Sequence, residues 1–134
     1  MGKTRPQARA PGLTLDAGAL IALDRGDRRM IALLRQASTK GVDLRVPAGA
    51  MAQAWRNGTR QAVLARFLRA REVQIKPLDE HLARACGELC AAAGTADIVD
   101  ASVVLVAREH GDVVLSSDVD DLTRLDPKLS IESI

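Results

Sequence analysis

The chain has 134 residues, 47% hydrophobic, 27% charged and 1% aromatic, with a formal net charge of +2. That length predicts one domain, residues 12–134, with a core of Leu, Val, Ile and Ala, because Trp55 and Phe67 are the only aromatics. No apolar run approaches the ~20 residues of a membrane span and no signal peptide is visible, so the expectation is a cytoplasmic protein with no membrane partner.

The small net charge hides an asymmetry. Residues 1–71 hold 14 Lys/Arg against four Asp, and residues 72–134 hold five Lys/Arg against 13 Asp/Glu. Such a split suits one basic surface for a polyanion and one acidic focus for a cation, although solvated helix faces of differing sign would give the same count. Residues 1–11 read as a mobile basic tail, since MGKTRPQARAPG has no hydrophobic centre.

Leu13 to Asp16 predicts a first strand with Asp16 at its C-terminal end, followed by a helix over Ala17–Leu23. Asp16 would suit a plain N-cap, where a carboxylate accepts orphan N–H groups. Asp27 caps a second helix to about Thr39, buried through Met30, Ile31, Leu33, Leu34 and Ala37 and ended near Gly41. Val42–Val46 alternates as a second strand. Pro47 then opens a helix over Ala48 to about Arg56, which carries Gln53 and Trp55. Trp55 reads as an interface or core anchor rather than a platform for bases.

After the Asn57-Gly58 break, Thr59 is expected to cap a helix over Arg60–Ala70. Arg56, Arg60, Arg66 and Arg69 give this region a basic exposed side suited to phosphate contacts. Val73 and Ile75 form a third strand, stopped by Pro77. Asp79 caps a helix to about Ala93, within which Cys86 and Cys90 read as small core thiols and His81 as a surface residue.

The organising stretch is ADIVDASVVLVAREHGDVVLSSDVDDL, residues 96–122. It predicts a helix with Asp97 and Asp100 on one face of its first turn and His110 as a C-terminal charge or cap. A stop at Gly111, a buried strand over Val113–Leu115 and an acidic turn with Ser116, Ser117, Asp118, Asp120 and Asp121 follow. Leu129 and Ile131 suggest a last edge strand. Strands alternating with helices imply a largely parallel sheet, in which Asp16 and Asp118 converge along the C-terminal strand ends. Carboxylates gathered without cations repel each other, and a hard divalent ion such as Mg²⁺ or Mn²⁺ relieves that. All-oxygen donors argue against zinc, and ions of this type chiefly handle phosphates. No GxxxxGK[ST] loop is present, which sets P-loop triphosphate chemistry aside.

Four segments then resemble, in order, the motifs of PIN-domain ribonucleases, most closely the VapC-type toxins of bacterial toxin–antitoxin pairs: LDAGALIAL, VPAGAMAQAW, DIVDASVVLVAREHG and VVLSSDVDDL. The resemblance implies a three-layer α/β/α sandwich around a parallel sheet of about five strands. It also implies a Mg²⁺ or Mn²⁺ site, endonucleolytic cleavage of RNA, homodimers, and inhibition by a small antitoxin protein. Residue by residue, it assigns the family's acids to Asp16, Asp100 and Asp118 and its hydroxyl to Ser116. Asp97 becomes a supporting ligand and Asp121 an outer partner. Where the family's second motif has Glu, this chain has Gln53, which brings an oxygen without a charge.

The rival reading is therefore a weak or inactive PIN-like module that binds RNA or a partner protein. A phosphorelay receiver also gathers Asp at strand ends but needs a lysine beside them. Lys128, the only Lys after Lys76, follows the last acidic turn.

Overall fold

The computed structural model describes residues 10–134, so the expected tail over residues 1–11 lies outside it except for Ala10 and Pro11. The described elements run β1 (Leu13–Leu15), α1 (Ala17–Asp24), α2 (Arg28–Thr39), β2 (Leu44–Pro47), α3 (Ala48–Ala54), α4 (Ala62–Leu68) and β3 (Val73–Lys76). Then come α5 (Glu80–Ala93), α6 (Ile98–His110), β4 (Val113–Ser116), α7 (Val119–Leu125) and β5 (Ile131–Ser133). The five strands form one sheet in the order β3-β2-β1-β4-β5, and every pairing is parallel.

Strand alternation divides the core into two layers. Leu15, Leu44, Val46 and Leu115 face one way and pack on α1, α2 and α4 through Leu20, Met30, Leu34 and Leu64. Val114 faces the other way, against Val103, Val104 and Ala107 of α6 and Leu122 of α7. Outside α6 lies α5, whose Cys86 and Cys90 are buried free thiols against Ala101. This is the expected three-layer sandwich. Among the described residues no single helix is long and apolar enough to cross a membrane.

Several boundaries differ from the sequence expectation for local reasons. The helix expected from Arg60 begins at Ala62, and Thr59 does not cap it. Thr59 instead donates to Asn57 Oδ1 from its hydroxyl at 2.7 Å and its backbone N–H at 3.1 Å. Gln61 braces this connection, accepting from Arg56 N–H at 2.7 Å and donating to the Ala54 carbonyl at 2.9 Å. The acidic segment after β4 is not only a turn, because Val119–Leu125 forms a helical turn pair that buries Leu122 and Leu125. The β2 strand begins at Leu44 rather than Val42, because the Val42 N–H closes back on the Ala37 carbonyl at the end of α2.

A buried polar network closes the N-terminal edge of the sheet. Arg45 Nη1 donates to Asp112 Oδ1 at 2.6 Å, and Thr14 Oγ1 donates to Asp112 Oδ2 at 2.8 Å. Gly12 is the backbone beside this pair, and a Cβ there would lie 2.5 Å from Asp112 Oδ1 and 2.6 Å from Arg45 Nη1. Only glycine fits.

Candidate active site

The sequence positions of the strands reverse direction between β1 and β4, which is where open α/β sheets form a crevice. Leu15 pairs with Leu115, so the next residues, Asp16 and Ser116, emerge side by side at the carboxyl ends of these two strands. Asp16 is the N-cap of α1 and accepts from Ala19 N–H through Oδ1 at 3.0 Å. Its other oxygen accepts from the Ser116 hydroxyl, and Ser116 Oγ in turn accepts from Asp118 N–H at 2.8 Å. Asp16 is thus both cap and crevice residue. The cap uses one oxygen and Ser116 orients the other.

The second pair arrives on α6. That helix leads into the start of β4, so its own start lies at the opposite, carboxyl edge of the sheet. Asp97 is its N-cap and accepts from Asp100 N–H at 2.9 Å. Thr95 Oγ1 accepts from the Asp97 N–H at 3.2 Å, while the Cys90 thiol lies 3.5 Å from the Asp97 carbonyl as its donor. The N-cap is therefore held from both sides. Gly49 of α3 packs under α6, where a Cβ would meet Val99 Cγ2 at 3.3 Å.

Electrostatics joins the two pairs. Burial pushes the Asp100 carboxyl up to about 7, helped by Asp97 and then by Asp118 and Asp121. A carboxylate in the first turn of a helix ordinarily gains about 0.3–1 kcal/mol from the helix dipole. Here burial and three neighbouring acids outweigh that gain. Asp16, only 4% exposed, is raised by burial and by Asp118, with the Ser116 and Ala19 hydrogen bonds pulling the other way. None of these five acids forms an ion pair with a Lys or Arg among the described residues. Nor do any three Asp, Glu, His or Cys side chains among those residues converge closely enough to hold a metal ion as they stand. The crevice gathers negative charge but leaves room between the acids.

Asp16, Ser116 and Asp118 are thus joined by hydrogen bonds, and Asp97, Asp100 and Asp121 face them. Gln53 lies exposed in the last turn of α3, with no hydrogen bond to this set. Arg56, Arg60, Arg66 and Arg69 are exposed along the α3–α4 segment. Trp55 is 39% exposed, so the core-anchor reading is corrected: the extended backbone at the end of α3 turns the ring outwards. Gly18 was not singled out by sequence. A Cβ there would lie 2.6 Å from Ser117 Oγ, the end of an exposed side chain, and 3.3 Å from Asp16 Oδ1, so the first turn of α1 packs closely on the β4–α7 loop. A glycine two residues after a candidate acid is the only signal that could have marked it.

The PIN-domain family model matches residues 13–127, from β1 to beyond α7. The chain belongs to the PIN-domain family. Its fold is similar to that of VapBC2 from Rickettsia felis, solved bound to a DNA fragment from the promoter, at TM-score 0.67 and 15% identity, covering 91% of this chain and 98% of that one. FitAcB from Neisseria gonorrhoeae is similar at TM-score 0.61 and 19% identity, over 89% of this chain and 95% of that one. Mycobacterium tuberculosis VapC20, a sarcin–ricin loop cleaving toxin, aligns at TM-score 0.62 and 20% identity, over 82% and 94%. No curated protein matches the chain by sequence. In this PIN domain Asp16 and Ser116 stand at the ends of β1 and β4, Asp97 and Asp100 at the start of α6, and Asp118 and Asp121 at the start of α7.

Proposed function

We propose that this PIN domain is a metal-dependent endoribonuclease, the toxin of a toxin–antitoxin pair that acts in the cytoplasm as a homodimer and is held in check by a small antitoxin protein. The observation that carries the reading is the crevice itself. Five carboxylates are gathered around the switch point of the sheet without any three converging, uncompensated by any described cation, with Asp100 pushed up to about 7. That donor set fits a hard divalent ion, Mg²⁺ or Mn²⁺, and excess negative charge without one works against folding. Asp16, Asp97, Asp100 and Asp118 would hold the ion, with Asp121 and Gln53 at its margin. Such an ion, when bound, stabilises the charge that grows on a phosphodiester under in-line attack.

The chain's own groups do the rest. Ser116 holds one Asp16 oxygen in place while the α1 N-terminus holds the other. Asp97 caps α6 through the Asp100 N–H and so fixes where the Asp100 carboxylate stands at the start of that helix. Arg56, Arg60, Arg66 and Arg69 offer the strand's phosphates a sequence-independent track. VapBC2 is bound to a DNA fragment from its promoter and the similar FitAB complex to an IR36 DNA fragment, and that likeness supports the antitoxin assignment here.

The test is cleavage of labelled single-stranded RNA by the purified chain with millimolar Mn²⁺ or Mg²⁺, beside Asp16→Asn and Asp100→Asn. Metal-dependent cleavage lost in both variants is expected; cleavage that survives either substitution overturns the assignment. Gln53 and the open spacing of the acids favour one alternative, a weak or inactive module that binds RNA or a partner protein. It predicts binding that falls with salt and no cleavage with either ion.

A further inference from the structure

Outside the crevice, the most developed feature is a groove of about 580 Å³ between α3 and α4, walled by Met51, Trp55, Leu68 and Arg69. Trp55 is 39% exposed there, the more exposed of the chain's two aromatics. Gly58 forms the floor under the ring, where a Cβ would lie 2.8 Å from Trp55 Cζ2. The ring is thereby seated on backbone, and the Trp55 backbone N–H, which donates to the Met51 carbonyl at 2.8 Å, fixes the main chain that carries it. An aromatic held in this way resembles a wall rather than a core residue.

The rim decides what the wall faces. Arg56, Arg60, Arg66, Arg69 and Arg71 fall within a short span, and none pairs with a carboxylate among the described residues. Arg29, Arg45, Arg84 and Arg108 do, while Arg25, Arg28, Arg35 and Arg124 also lack such a pair but are scattered over other elements. Arg56 donates instead to the Ala52 and Trp55 carbonyls at 3.2 and 2.7 Å, and Arg69 Nε donates to the Ala65 carbonyl at 3.3 Å. Carbonyls orient a guanidinium without neutralising it, so the positive charge stays available to a phosphate. An exposed ring beside uncompensated arginines is the composition that takes single-stranded nucleic acid, with a base on the ring and phosphates on the cations. The groove also lies within reach of the crevice. The α3 helix starts where β2 ends, at the sheet edge that carries the acids, and is about 10 Å long.

We propose that this groove is a base-binding subsite, in which one unpaired base of single-stranded RNA stacks on Trp55 while Arg56 and Arg69 hold the adjoining phosphates. The proposal rests on the ribonuclease reading and extends it to where the strand lies beside the crevice.

Trp55 is the only tryptophan and the chain has no tyrosine, so intrinsic fluorescence of the full chain reports on this groove alone. The experiment titrates the protein with a short oligouridylate in EDTA, where no ion is free. Binding is followed in parallel by polarisation of a labelled copy. Saturable quenching is expected, absent with polyglutamate and weaker with duplex RNA. By polarisation, Trp55→Leu should weaken binding about 5- to 100-fold, the effect of one stacked base, and Trp55→Phe much less. Arg56→Gln and Arg69→Gln should each flatten the salt dependence.

Binding without quenching overturns the subsite. So does protection of Trp55 from acrylamide by an alternating Glu–Leu peptide but not by RNA, which would assign the groove to a protein partner. Quenching by RNA that is never cleaved with Mg²⁺ or Mn²⁺ leaves the subsite and removes the nuclease. Cleavage without quenching does the reverse, and no RNA binding by either readout overturns the subsite outright.

Discussion

Removing a carboxylate from the crevice should make the metal-free protein more stable. Asp100 is raised from its ordinary 3.8 to about 7 by burial and by Asp97, Asp118 and Asp121. Between those two values the folded state binds more protons than the unfolded chain, so stability falls as pH rises through the window, opposite to a paired carboxylate. Above about pH 7 the whole penalty is present. Because the group is half-buried, solvent screening reduces it to about 1–2 kcal/mol. For a chain of this size that is about 4–8 °C in melting temperature.

Asp100→Asn should therefore melt higher than the wild type in EDTA at pH 8, and the two should converge by pH 4. Circular dichroism melts across that range read the difference directly. Calorimetry with MnCl₂ supplies the complement, because the wild type should bind the ion more tightly as pH rises towards 8 and the variant should bind weakly throughout. A variant that melts lower than the wild type at pH 8, or a wild type that gains stability relative to it between pH 4 and 7, would refute the crevice electrostatics.

Four further substitutions separate site from scaffold. Gly18→Ala places a Cβ 2.6 Å from Ser117 Oγ and 3.3 Å from Asp16 Oδ1. The gain of about 1 kcal/mol in helix propensity should offset much of the strain, so urea unfolding should change little while Mn²⁺ affinity by calorimetry drops several-fold. Asp112→Ala removes the buried partner of Arg45, which keeps only the part-exposed Asp43 at 3.2 Å, and should cost up to about 3–5 kcal/mol in urea unfolding. Arg29→Ala, which breaks an exposed pair with Glu132 at 3.1 Å, should cost less than about 1 kcal/mol. Gln53→Glu should tighten Mn²⁺ and raise any cleavage rate if the α3 side chain reaches the ion; unchanged calorimetry would put Gln53 outside the site.

Much of the sandwich was legible because its signals are local. Asp27 and Asp79 cap the helices they were expected to cap, at 2.8 Å each, and Gly111 ends α6 in the left-handed region at φ 68°. The strand ends were readable because short apolar runs stop at Asp16 and Ser116. What stayed hidden depends on tertiary neighbours. Thr59 has the chemistry of a cap, but Gln61 and Asn57 organise that turn. The α7 helix is hidden in the sequence because its acids mask Leu122 and Leu125, which are buried against the α6 face. Arg45 looked like the polar half of an alternating strand, yet it is buried at 8% exposure because Asp112, far along the chain, meets it.

Asp112 and Asp16 make a comparison internal to the fold. Both are 4% exposed aspartates at strand ends of the same sheet, Asp112 before β4 and Asp16 after β1. Asp112 receives a guanidinium at 2.6 Å and a threonine hydroxyl at 2.8 Å, which compensate its charge and leave nothing for a ligand to do. Asp16 receives only the neutral donors of Ser116 and Ala19, and another acid, Asp118, stands close enough to raise it. If buried carboxylates here served packing alone, both ends would carry a cation, since leaving one out is the less stable arrangement. The carboxyl edge keeps its charge uncovered, and the acids of α6 and α7 add to it. That asymmetry distinguishes a structural aspartate from one kept ready for an ion, and it makes the crevice rather than the opposite edge the place to look for chemistry.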